Sequence, residues 1–203
     1  MKIALDKAAG QCTLPELIQF RTPLTQYKSR KGVQWVLDNG CFTEFKENTW
    51  FKMVMDGVND PDMLWFTMPD EVGNHAVTLN QFYRYKEKLS QIMSWEVFQN
   101  KAAFVIQDEC SIEDIPWDDI AAVFLGGSTQ FKLSAKAFTI LKAAKAKGKL
   151  VHVGRVNTPP RILYFHNVAD TIDGSGIAKY QAMLDDAIAM IISLNKVPQT
   201  TLF

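Results

Sequence analysis

LVHVGRVNTPPRILYFHNVADTIDG, Leu150–Gly174, carries the pattern that decides the fold. A short apolar run, Leu150–Val153, stops at Gly154-Arg155. The next segment, Thr158–His166, has Pro159 and Pro160 in what would be a first helical turn, where a missing N–H matters least. A second apolar run, Val168–Ile172, follows and stops at Asp173-Gly174. Neither run alternates apolar with polar residues, as a strand covered on one face does. Near-continuous apolar character is what a parallel strand covered on both faces requires. Strand, helix and strand in this order predict a βαβ unit. His152, inside the first run, reads as a core residue or as a support for a site side chain.

The same rhythm extends towards the N-terminus. Lys2–Leu5, Gln34–Leu37, Met63–Thr67, Ala103–Ile106 and Ala121–Leu125 are further strand candidates. Helices are predicted over His75–Met93, over Ser134–Lys147 with a capping Ser and a terminating Gly148, and over Ile177–Leu194. Seven strands are visible where a closed (β/α)8 barrel needs eight, and the 203 residues fall below the roughly 250 typical of that fold. The expectation is an α/β protein, a compact TIM-like barrel, degenerate in places, in one domain spanning 1–203. The alternative is an open doubly wound sheet, which no GxGxxG or GxxxxGK[ST] after the first strand supports.

Lys plus Arg and Asp plus Glu number 22 each, so the net charge advertises no nucleic-acid partner. A local basic face remains open, from Lys28–Lys31, Lys142, Lys145, Lys147, Lys149, Arg155 and Arg161. The three cysteines, Cys12, Cys41 and Cys110, are widely spaced and odd in number. That argues against a disulfide framework and a structural zinc site, and for a reducing compartment. There is no signal-peptide pattern and no apolar run of bilayer-spanning length, so a soluble, cytoplasmic protein with no membrane partner is expected.

In either architecture, functional groups gather where parallel strands end. The ends read Asp38-Asn39-Gly40, Pro69-Asp70-Glu71, Gln107-Asp108-Glu109, Gly126-Gly127-Ser128, Gly154-Arg155 and Asp173-Gly174. One Asp at such a place is an ordinary cap or turn residue. Four ends bearing carboxylates or a carboxamide point to a site, because buried carboxylates are costly unless used or paired. The three histidines, His75, His152 and His166, form no pairing with Ser or Cys that suggests a protease-like triad. Carboxylates bind magnesium, but no phosphate loop accompanies them. They also attack or stabilise an anomeric carbon while a second one moves protons. Asp and Gln side chains with backbone N–H groups match a purine edge.

These segments resemble a known family. DNGCF is similar to the DSGGF segment of queuine-type tRNA-guanine transglycosylases, and FVIQDE to their strand ending in a base-reading Gln. VFLGGST resembles their IGGL segment, and VGRVNTPPRILYFHNVADTIDG resembles their MGVG…D.FD segment. PDEVGN, GGSTQFKL and VHVGRVN are closer to the short phage DNA-guanine transglycosylases of the DpdA type, which place 7-deazaguanines in DNA. The likeness spans roughly Val33 to Gly176, and it is the order and spacing of the motifs that make it specific.

The resemblance implies roles. Asp173 matches the nucleophile that attacks C1′ and releases guanine, and Asp38 the general acid/base. Asp70 and Gln107 match positions that hold the purine edge, and Gly126 and Gly127 the backbone that bonds the base carbonyl. Gly154 and Arg155 belong to the same substrate-binding set, and Arg155 with Lys132 or Lys28–Lys31 would meet phosphates. Asp170 matches the first acid of the D.FD pair, with its role open, and is the next nucleophile candidate after Asp173. The implied partners are DNA, guanine and a 7-deazaguanine base such as 7-cyano-7-deazaguanine. No cofactor and no metal are implied, and an oligomer is compatible because the tRNA enzymes are dimers.

Two departures matter. The CxCxxC…H zinc site of the tRNA enzymes does not follow Asp173, which favours DNA as substrate. The Ser of DSGG is absent from DNGCF. A small-molecule nucleoside- or sugar-processing barrel enzyme and a non-catalytic nucleic-acid-binding subunit stand as alternatives. Val197–Phe203 yields no reading.

Overall fold

Eight parallel strands close into a barrel in chain order in the computed structural model, which describes residues 1–196. They are β1 (Lys2–Leu5), β2 (Leu17–Arg21), β3 (Trp35–Leu37), β4 (Met63–Thr67), β5 (Ala102–Ile106), β6 (Ala122–Leu125), β7 (Leu150–Val153) and β8 (Thr171–Asp173). Closure is through Ile3, which stands opposite Leu17 of β2 and Ile172 of β8. The open-sheet alternative is thereby excluded. The eighth strand is β2, a segment with no counterpart among the expected strands. The final strand begins at Thr171 rather than at Val168 and includes Asp173.

The helices are α1 (Glu47–Gly57), α2 (His75–Ser90), α3 (Trp95–Gln99), α4 (Thr129–Lys132), α5 (Ala135–Ala146), α6 (Pro159–Phe165), α7 (Ser175–Lys179) and α8 (Gln181–Lys196). Asn74, Ser128 and Ser134 cap α2, α4 and α5 by accepting the backbone N–H three residues on. The single helix expected over Ile177–Leu194 is two, broken at Tyr180, whose backbone is extended at φ −110° and ψ 119°. The barrel is degenerate at three of its connections. A short 3-10 turn at Ala9–Gln11 joins β1 to β2, no helix lies between β2 and β3, and β5 reaches β6 through another 3-10 turn at Trp117–Asp119. Val197–Phe203 lies outside the described residues.

Side chains alternate along each strand, so every strand serves two cores. One face fills the barrel: Ala4, Ile18, Phe20, Val36, Trp65, Ala103 and Ala122 form one buried cluster, against which Phe124 and Leu150 pack. The other face meets the helices, with Trp35, Leu37, Phe66, Phe104, Leu125, Val153 and Ile172 in the larger cluster. Each such side chain contributes roughly 1.5–3 kcal/mol by leaving water. This explains why the strands read as continuously apolar. It also fixes what the next inward-facing position does: it rises above the packed interior and enters the mouth of the barrel.

Candidate active site

Alternation places the next inward residue of seven strands on the rim of that mouth, and β4 contributes Asp70, three residues beyond Thr67 and out of that alternation. Asp6, Thr22, Asp38, Asp70, Gln107, Gly126, Gly154 and Asp173 all line a single cavity of about 540 Å³, contributed in order by the ends of β1 to β8. The size falls within the range of small-ligand sites, about 300–1,000 Å³. All eight residues expected from the sequence, including Gly127 and Arg155, line it. Lys132 lines it too. The basic stretch Lys28–Lys31 does not, and its lysines lie exposed in the β2–β3 connection.

Asp38 and Asp173 sit three strands apart around the closed ring. Burial pushes the Asp38 carboxyl up to about 7, and the Asp70 and Asp173 charges push the same way. Hydrogen bonds from the backbone, among them the Gly40 N–H to Oδ2 at 3.0 Å, only partly offset this. Gly40 takes a left-handed φ of +80°, which glycine adopts without the steric cost of a Cβ. A carboxyl so placed holds or releases a proton near neutrality.

Asp70 is buried among donors. Asn39 Nδ2 donates to its Oδ1 at 2.8 Å and Gln107 Nε2 to its Oδ2 at 2.5 Å. Burial raises the Asp70 carboxyl above its ordinary range, and these donors moderate the rise. Asn39 is itself fixed, donating to Met68 O at 2.7 Å and accepting the Cys41 N–H at 2.8 Å. Burial pushes the neighbouring Cys41 thiol up to about 12, so it stays protonated and is a poor nucleophile.

The glycines of β6 and β7 differ in what they do. The Gly126 N–H donates to Ile106 O at 2.9 Å, as part of the barrel ladder, and is not free to meet a base carbonyl. Its service is space: a Cβ there would stand 3.0 Å from Gln107 Nε2. Gly127, at φ +74°, is the member of the pair whose N–H has no partner among the described residues. Gly154 clears room in the same way beside Phe124 and Asp173.

Asp173 Oδ1 accepts the Arg155 backbone N–H at 3.1 Å and faces His152 Nε2 at 3.1 Å. The Arg155 guanidinium donates to Gly127 O at 2.7 Å and lies over the Phe42 ring at 4.8 Å. Lys132, only 4 % exposed, donates to Gly154 O at 2.8 Å. Burial, with Arg155 close by, lowers its ammonium to about 8.

Asp170 is elsewhere. It precedes β8 at the opposite end of the barrel, where its carboxylate takes Lys145 Nζ at 2.7 and 2.9 Å and the Val151 N–H at 2.8 Å. Its standing as a substitute nucleophile is overturned. Asp108 also turns from the cavity: burial opposes its charge, but bonds from Ser128 prevail and hold it below its usual range. Among the lining residues not expected from the sequence are Asp6, Thr22, Thr25, Thr43, Ser175 and Lys179. Thr25 Oγ1 donates to Asp6 Oδ1 at 2.9 Å, and burial raises the Asp6 carboxyl. Strand alternation points to Asp6, one residue beyond Leu5.

Fold and site together define a closed parallel α/β barrel whose strand ends converge on a carboxylate-rich pocket, which Lys132, Arg155 and Lys179 also line. The chain matches no family model, and no curated protein is similar to it in sequence. Among the described residues, no helix is long and apolar enough to cross a membrane.

Proposed function

We propose that the chain is a base-exchange glycosyltransferase that replaces guanine in DNA by a 7-deazaguanine such as 7-cyano-7-deazaguanine. The observation that carries this reading is the order of groups around one cavity. Asp38 stands at one end, the Asp70–Gln107 pair and Gly126-Gly127 follow, and Asp173 stands beyond Gly154.

A guanine seated against β4–β6 would present N1–H and the 2-amino group to the acceptor oxygens of Asp70. Its O6 would take the second hydrogen of Gln107 Nε2 and the Gly127 N–H. C1′ would then lie towards β8. Asp173 bonds to C1′ as the C1′–N9 bond breaks, the electron pair leaves on the purine, and Asp38 supplies a proton to it. The incoming base gives its N9 proton to Asp38, N9 bonds to C1′, and the Asp173 carboxylate is released. Two moderate barriers replace one high one. The base must leave the helical stack to enter the pocket, so a flipped or single-stranded target is required. Arg155 and Lys132 supply positive charge for phosphates near that entry.

The test is incubation with duplex and single-stranded DNA and labelled 7-cyano- or 7-aminomethyl-7-deazaguanine. Retention of label in DNA, abolished in Asp173→Ala, is the expected result. Absence of label from every DNA tested, with free nucleosides turned over instead, would assign the pocket to a small-molecule enzyme. DNA binding that persists without Asp38 and Asp173, with no chemistry in the unsubstituted protein, would leave a binding subunit.

A further inference from the structure

His152 is fully buried inside the barrel. Phe20, Trp65 and Phe124 surround it, with ring centroids 5.9, 5.1 and 4.4 Å away. A polar ring in such a place needs a partner for each nitrogen. Nδ1 meets Thr171 Oγ1 at 2.8 Å, and Nε2 meets Asp173 Oδ1 at 3.1 Å. Thr171 and Asp173 are the two inward positions of β8, and Thr171 stands in register with His152. A carboxylate only accepts, so Nε2 carries a proton, while the rotatable Thr171 hydroxyl suits Nδ1 in either state.

The Arg155 N–H reaches the same Oδ1, from a residue in the left-handed region at φ +59°. Two donors therefore converge on one oxygen of Asp173. Oδ2 has no hydrogen-bond partner among the described residues, and Asp173 lines the cavity.

We propose that His152, oriented by Thr171, is a positioning residue that holds Asp173 with Oδ1 engaged and Oδ2 presented to the sugar. This rests on Asp173 being the attacking carboxylate. The Oδ2–C1′ bond forms as the C1′–N9 pair leaves with the purine. Oδ1 then becomes the ester carbonyl and keeps both donors. When N9 of the incoming base bonds to C1′, the electron pair returns to the carboxylate, and the same donors stabilise it as charge reappears. His152 gains and loses no proton in either half.

The experiment has a kinetic and a spectroscopic arm. In single-turnover exchange, His152→Leu should slow formation of the covalent adduct about 100-fold, the scale of a small misplacement of a reacting group, with base affinity held within about twofold. His152→Gln returns a donor near the Nε2 position and should recover at least about tenfold of that loss. Thr171→Val should cost about tenfold, and Thr171→Ser should restore it. Exchange at the original rate in folded His152→Leu overturns the proposal, as does a loss shared equally by rate and base affinity. Should His152→Leu not fold, His152→Gln and Thr171→Val decide.

Long-range proton–nitrogen spectra of the ¹⁵N-histidine-labelled protein form the second arm, with His152→Gln identifying the signal. A protonated Nε2 whose proton resonance moves in Asp173→Asn supports the contact, and a bare Nε2 overturns it. Should the unsubstituted protein exchange no base, the catalytic part of the proposal falls with the proposed function, and the spectra still decide the contact.

Discussion

The carboxamide of Gln107 is oriented before any ligand arrives: Nε2 donates to Asp70 Oδ2 at 2.5 Å while Oε1 accepts the Gly73 N–H at 2.9 Å. The amide therefore cannot flip without setting donor against donor. One hydrogen on Nε2 and one lone pair on Oε1 remain for a base. Gln107→Glu removes the donor and sets a second carboxylate against buried Asp70. Base affinity should fall at least about tenfold, or ~1.4 kcal/mol, by titration calorimetry with 7-cyano-7-deazaguanine. Stability should fall by about 1–3 kcal/mol in urea melts at pH 8, from the broken buried pair. Unchanged base affinity would remove Gln107 from the recognition edge.

The raised carboxyl of Asp38 makes a prediction with a definite sign. Its ordinary value is 3.8 and its folded value about 7, so between these the folded state binds the proton and the unfolded state does not. Stability that Asp38 contributes is present at low pH and is lost as pH rises through about 7. Asp38→Asn should flatten that window and be the more stable protein at pH 8, by up to about 4 kcal/mol before water in the cavity reduces the figure. Exchange should show an inflection near pH 7 that disappears in Asp38→Asn along with most of the rate. Denaturant melts and single-turnover rates from pH 5 to 9 check both. A stability difference that grows as pH falls would contradict the sign.

What the sequence disclosed and what it hid follow from the same packing rule. The strands beneath helices are apolar on both faces, and they were visible for that reason. β2 is different: no helix covers its outer face, so Gln19 and Arg21 point outward there. Gln19 Nε2 ties down Lys7 O and Lys28 O, while Arg21 donates to Tyr27 O and lies 4.4 Å over Trp35. Two polar residues in five disguise a strand whose inner face, Ile18 and Phe20, is wholly apolar. The missed helix α1 did carry a signal, since Trp50, Met53, Val54 and Gly57 recur at helical spacing and are buried, but no side chain caps it. At the site, the residues ending β3 to β8 are legible in the sequence, and alternation along the equally visible β1 points to Asp6, whereas Thr22 and Thr25 follow the disguised strand β2.

Asp170 and Asp173 lie three residues apart and should respond in opposite ways. The Asp170 carboxylate joins Lys145 to the Val151 N–H across the base of β7 and β8, with no part of it in the cavity. Asp170→Ala should lower stability by about 1–3 kcal/mol by stranding a partly buried N–H, with the exchange rate retained. Asp173→Ala should keep its fold and lose exchange entirely. Thermal melts beside exchange assays separate them, and full activity in Asp173→Ala would move the nucleophile off β8.

Gly126 and Gly154 offer a way to separate the proposed base half of the pocket from the proposed sugar half. Neither has a left-handed φ, so an added methyl acts by contact and not through backbone strain. In Gly126→Ala the Cβ would stand 3.0 Å from Gln107 Nε2 and 3.1 Å from Val105 Cγ1, and the Gln107 amide must shift. In Gly154→Ala the Cβ would stand 2.8 Å from Phe124 Cε1 and 3.3 Å from Asp173 Oδ1. The added methyl therefore displaces the Phe124 ring, whose centroid lies 4.4 Å from that of His152, and crowds Asp173. Both changes overpack a tight place and should cost about 1–3 kcal/mol of stability. Gly126→Ala should weaken binding of the free base about tenfold, whereas Gly154→Ala should bind it normally and slow adduct formation by about 100-fold. Calorimetry with the free base and single-turnover exchange read the two effects apart. Equal losses of base affinity in both variants would show that base and sugar do not occupy separate sides of the barrel mouth.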